Sequence, residues 1–208
     1  MAFIKTTRAR EATGDVHDMY RRQQDHWGYV PNYAKVFSHR PEVMARWGRL
    51  LAEIRRPADD RRFELVTFAV ALELRHSSCS LAHGKKLGEI IGTDNVIAIA
   101  DGKEPGVLSD AEIAMMRFAR DVARDARKIT RGRVEELTEI HGFSDDEVFD
   151  IVAIASARCF FTKVLDGLGV EPDSAFMVLD YEFRDKVGKG RPISHMTPDV
   201  LDAKSEAA

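Results

Sequence analysis

Apolar positions recur every three or four residues along most of this chain, the period of helices that each cover one face. Residues 15–26 read as a short helix closed at Gly28, and Pro31 suits the first turn of a brief helix running to about Ser38. Pro41 opens the next, where Val43, Met44, Trp47, Leu50, Leu51 and Ile54 share a face expected to be buried. Pro57 to Asp60 breaks the chain and supplies a cap for a helix of different character. Residues 63–72 are apolar on most of their circumference, which marks a central helix covered by neighbours, while Arg61 and Arg62 just before it are placed toward solvent. Ser77 or Ser78 is the expected cap of the following helix, with Cys79 in its first turn and His83 one turn later on the same face.

Gly92-Thr93-Asp94 restarts a short helix, and residues 101–106 form a loop. Ser109 with Glu112, and Ser144 with Glu147, place a hydroxyl and a carboxylate three apart before apolar runs, so each reads as a capping box. A helix over about 132–140 lies between them and stops at His141-Gly142. After Ser144 comes a second buried helix, carrying Val148, Ile151, Val152, Ile154, Phe160, Val164 and Leu165 and ending near Gly167. Residues 173–183 suggest one more helix, and 188–208 lose periodicity, as an arm or loose tail to a single domain over 1–187. No stretch alternates with the period of a strand, so the predicted fold class is all-α, helices joined by short loops.

Composition works mainly by exclusion. At 208 residues, 44% hydrophobic and 31% charged, the chain suits one well-packed soluble domain. Its net charge of -3, with both signs interleaved, offers no basic footprint for nucleic acid. The longest apolar run is broken by Glu73 short of a bilayer span, and MAFIKTTRAREATG lacks a signal-peptide core, so a cytoplasmic protein without a membrane partner is expected. The two cysteines, Cys79 and Cys159, stand far apart and read as free thiols of a reducing compartment.

That leaves Glu64, His76, Cys79 and His83, the one gathering of chemically different titratable groups inside strongly apolar sequence. A thiol in a first helical turn feels the positive end of the backbone dipole, and an imidazole four residues on can take its proton, which describes a nucleophile with its base. The plainer alternatives are a buried thiol acting as a small hydrophobe and a Glu64 carboxylate held by Arg158. A third reading uses the same four residues to bind zinc, since each is a legitimate ligand. Cys159 sits in apolar helix sequence and reads as core, with a resolving thiol as the alternative, and His17, His26, His39, His141 and His195 are scattered and solvated.

The spacing of Glu64, His76, Cys79 and His83 resembles the AhpD-like alkylhydroperoxidase and carboxymuconolactone decarboxylase family, whose redox members carry a glutamate, a CxxC and a histidine four past the second cysteine. GYVPNYAKVFSHRPEVM, LSDAEIAMMRFARDVA and GFSDDEVFDIVAIASARCFFTKVLDGLGVEPD extend the resemblance over roughly residues 15–180. It implies a compact helical fold that forms homo-oligomers, with the active site at the cysteine helix and no cofactor or metal. Here His76 stands where the redox members have their first cysteine, giving HxxC and removing the vicinal disulfide. The resemblance then implies Cys79 as the peroxide-attacking thiol, Glu64 and His83 as its proton relay, His76 as a modifier of the site, and an external thiol as reductant. The runner-up it leaves open is a cofactor-independent lyase, isomerase or decarboxylase of a small organic acid. A family member that binds a metal or a small molecule without turnover is the remaining alternative.

Overall fold

The computed structural model describes residues 2–201. Helices dominate it, and among the described residues there is no strand, only an isolated bridge between Val30 and Asp199. The chain runs through α1 (Gly14–Trp27), α2 (Asn32–Val36), α3 (Pro41–Arg55), α4 (Asp60–Glu73), α5 (Ser77–Ile91), α6 (Thr93–Ala100), α7 (Asp110–Asp125), α8 (Arg131–Glu135), α9 (Asp145–Gly167) and α10 (Tyr181–Val187). None of these is long and apolar enough to cross a membrane.

α4 is the axis of the molecule. Every residue from Phe63 to Ala71 is buried, because α5, α7 and α9 pack around it on all sides. Each large apolar side chain on α4 that leaves water contributes on the order of 2 kcal/mol, so a helix with no polar face is stable only in such a surround. α5 approaches closely at Gly84, where a Cβ would stand 2.9 Å from the Phe68 ring. The predicted capping boxes form at Ser109 with Glu112 and at Ser144 with Glu147. Arg61 and Arg62 do not face open solvent as the sequence suggested. Arg61 donates to Glu112 at 2.5 Å and Arg62 to Glu147 at 2.6 Å, tying the start of α4 to the capped ends of α7 and α9.

Two core clusters meet near the start of α5. One surrounds α4, α5, α7 and α9; the other gathers Met19, Tyr20, Trp47, Ala71, Cys79, Phe161 and Leu165, joining α1, α2 and α3 to α9. Within α3, Trp47 points inward as expected, whereas Val43 and Leu50 lie on the outside at 41% and 55% exposure. The stretch expected as a helix over 132–140 is α8 followed by a π turn, Glu136–Ile140. Residues 173–183 are likewise divided, into a 3-10 turn, Ser174–Val178, and α10, whose start Asp180 caps through two backbone N–H groups.

Residues 188–201 run back over the body. Gly190 donates its N–H to Ser77 Oγ at 2.7 Å, Arg191 donates to the Asp166 carbonyl at 2.8 Å, and Leu201 donates to Gln24 Oε1 at 2.6 Å. This strap crosses the turn between α4 and α5, where Arg75 adopts a left-handed φ of 53° just before the reactive segment. The last part of the expected C-terminal tail, 202–208, lies outside the described residues.

Candidate active site

The turn at Arg75 swings the chain so that His76, not Ser77 or Ser78, becomes the N-cap of α5. Its Nδ1 accepts the Cys79 backbone N–H at 3.1 Å. Histidine is an uncommon cap, and it works here because a neutral ring offers an unprotonated nitrogen where serine would offer a hydroxyl oxygen. Cys79 therefore sits in the first turn of α5 as expected, 4% exposed, at the positive end of the helix.

Arg158 of α9 reaches Cys79 from the other side, its Nη1 donating to Sγ at 3.4 Å while the guanidinium lies 5.8 Å from the Phe161 ring. The sequence offered Arg158 as a holder for Glu64; the structure brings it to the thiol. It is 5% exposed, has no ion pair with a carboxylate among the described residues, and keeps Nε buried without a partner. A buried guanidinium without a carboxylate favours a neighbouring group that can become an anion. Cys79 is that neighbour. Burial works against its ionisation, but Arg158 and then His76 outweigh burial, and the thiol is held below its ordinary range.

For His76 burial opposes protonation, yet a Cys79 thiolate and the Asp166 carboxylate outweigh it and raise the ring's affinity for a proton. The ring cannot accept the Cys79 N–H at Nδ1 and be an imidazolium there at once. The geometry is that of the neutral ring, and the raised affinity is what the ring acquires once Cys79 ionises.

Glu64 and His83 form a separate pair, His83 Nδ1 and Glu64 Oε2 standing 2.6 Å apart. Burial first, and then the Arg158 charge, pull His83 down to about 4 despite that bond. At neutral pH the ring is uncharged and donates from Nδ1 to the carboxylate, leaving Nε2 as a free base. Glu64 Oε1 and the neighbouring Thr67 Oγ1 are buried with no partner. The four sequence-named residues thus divide into Cys79 with His76 and Glu64 with His83, and the Arg158 charge acts on Cys79, His76 and His83 alike. Its place could not be read from sequence, where it is one arginine in an apolar helix far from the motif.

Among the described residues no three His, Cys, Asp or Glu side chains gather closely enough to hold a metal. Cys159 is half-buried and burial pushes its thiol up, in contrast to Cys79. A surface cavity of about 800 Å³ lies between residues 2–8 and 194–199 and is lined by none of the four.

The sequence matches no protein-family model and no curated protein. Its shape does match solved structures. The alkylhydroperoxidase AhpD core of an uncharacterized peroxidase-related protein from Ralstonia eutropha JMP134 superposes with a TM-score of 0.71 at 22% identity, over 86% of this chain and 95% of that one. An uncharacterized peroxidase-related protein from Silicibacter sp. TM1040 gives 0.72 at 17% identity, over 85% and 94%. A cysteine-to-alanine variant of the debrominase Bmp8, in complex with 2,3,4-tribromopyrrole, gives 0.66 at 14% identity, over 87% and 94%. With its helices and these likenesses together, the chain has the all-helical AhpD-like fold.

Proposed function

We propose that this protein is a thiol-dependent enzyme of the peroxidase type, with Cys79 as its single nucleophile. The observation that carries this reading is the buried contact between Cys79 Sγ and Arg158 at the N-terminus of α5, which shifts the thiol toward its thiolate. The thiolate attacks the terminal oxygen of a hydroperoxide, the O–O bond breaks, and the departing alkoxide takes a proton to leave as an alcohol. Cys79 becomes a sulfenic acid. An external thiol then forms a mixed disulfide with loss of water, and a second thiol releases Cys79. The neutral His83, braced by Glu64, and His76 are the proton carriers. The peroxidase-related structural neighbours support the reading at the level of fold.

A second reading, acid–base chemistry on a small organic acid without a cofactor, draws on the Glu64–His83 pair, which is already a braced general base. The debrominase neighbour adds halogenated aromatic rings to the substrates worth trying beside peroxides. One experiment separates these readings. With a small thiol as reductant, Cys79→Ser is expected to reduce hydroperoxide consumption to background, whereas Cys159→Ser keeps nearly all of it. Consumption surviving in Cys79→Ser would overturn the thiol reading, and a wild type that consumes no hydroperoxide would leave the acid–base one.

A further inference from the structure

The His76 ring is almost completely enclosed, its side chain 1% exposed. Nδ1 is committed to the first turn of α5, while Nε2 is buried and bonded to nothing. The acceptor facing Nε2 is Asp166 Oδ1, 4.0 Å away on α9, two turns beyond Arg158. That is a charge contact rather than a formed hydrogen bond. Asp166 is itself held from the strap: Arg191 Nε stands 3.6 Å from Oδ1 and Nη2 donates to the Asp166 carbonyl at 2.8 Å.

From this geometry we infer that Asp166 is a positioning residue for Cys79, acting through His76, and that Cys79, His76 and Asp166 work as nucleophile, base and orienter. The inference rests on the thiolate reading of Cys79 and deepens it. A carboxylate facing Nε2 keeps the neutral ring's proton on that nitrogen, so the Nδ1 lone pair is presented to Cys79. When the Cys79 S–H proton passes to Nδ1, the Cys79 backbone N–H gives up that nitrogen as its acceptor, the S–H bond breaks, an N–H bond forms, and the pair becomes thiolate and imidazolium. The new imidazolium faces Asp166 at one end and the thiolate at the other, which offsets the repulsion from Arg158 across the site. The charged groups bearing on His76 are therefore Cys79 on its own helix and Asp166 and Arg158 on α9, with Arg191 reaching Asp166 from the strap. The role arises from the histidine of the HxxC motif, since a cysteine at that place would offer Asp166 no ring nitrogen to orient.

The test is the pH dependence of Cys79 alkylation by iodoacetamide, in the absence of any peroxide and in a Cys159→Ser background. Asp166→Asn removes the charge at nearly constant shape and is expected to move the Cys79 ionisation up by about one pH unit with an unchanged plateau rate. Asp166→Glu is expected to restore most of the shift. A histidine NMR spectrum should show neutral His76 protonated on Nε2, a readout that needs no variant. If wild-type Cys79 ionises low and the Asp166→Asn profile superimposes on it, or falls equally at every pH, this inference is overturned while the thiolate reading stands. Protonation of neutral His76 on Nδ1 would overturn it as well. A wild-type thiol with an ordinary ionisation would bring down both.

Discussion

Arg158 decides more at the residue scale than any member of the sequence motif, because one buried positive charge lowers the Cys79 thiol and disfavours protonation of both histidines. The lowering of His83, by burial first and by Arg158 second, has a consequence for stability. His83 in the folded chain takes up a proton only near about 4, against an ordinary 6.5. Between those values the unfolded chain binds the extra proton, so the stability contributed by neutral His83 is complete above about 6.5 and is lost as pH falls toward about 4. Asp173 acts in the opposite sense, because burial pushes its carboxyl up from 3.8 to about 6 and the folded chain protonates first there. Urea unfolding at several pH values should therefore be compared between wild type and His83→Gln. The variant is expected to lose less stability between pH ~6.5 and ~4, and parallel curves would contradict the assignment.

The elements owe their ends to two kinds of signal. Ser109 with Glu112 and Ser144 with Glu147 are caps closed within four residues of chain, so their chemistry was readable locally. The start of α5 is different: His76 takes the cap because Arg75 turns left-handed and the strap of residues 188–191 lies across the turn. Gly190 is the tight point, since a Cβ there would stand 1.9 Å from the Arg75 carbonyl oxygen. Gly190→Ala must push backbone from backbone, which no rotamer change relieves. It is expected to destabilise the fold by about 1–3 kcal/mol and to expose the strap to proteolysis. Chemical denaturation at wild-type stability, with unchanged protease resistance, would show that the strap is not clamped at this point.

For the whole molecule the open question is what covers its outer apolar face. α3 packs on α9, and on the outer sides of the two helices Leu50 is 55%, Phe149 70% and Phe160 43% exposed. Exposed large apolar side chains on adjoining helices are a starting point for an association surface. A second copy of the chain is the expected occupant, and a stable contact should bury more than about 1,000 Å² in all. Light scattering is expected to report a dimer or larger assembly that falls apart when Leu50 and Phe160 are both replaced by glutamate. A wild-type monomer at every concentration would exclude it.

The sequence alone determined most of the helices, the buried α4 and α9 and the capping boxes, and it singled out Glu64, His76, Cys79 and His83. All of these are written in local spacing: a period, a hydroxyl three before a carboxylate, polar groups inside an apolar run. Tertiary structure decided which of those groups meet. Glu64 pairs with His83 because α4 and α5 pack side by side, and Arg158 and Asp166 reach Cys79 and His76 because α5 and α9 both pack on α4. Arg61 and Arg62 turn from expected solvent positions into ties for the same reason, since their partners come from helices distant in sequence. Contacts of that kind depend on the relative placement of helices, which many side chains set together and no short stretch encodes. The charge balance that favours a thiolate at Cys79 is therefore a property of the packed molecule, although each group that makes it is visible in the chain.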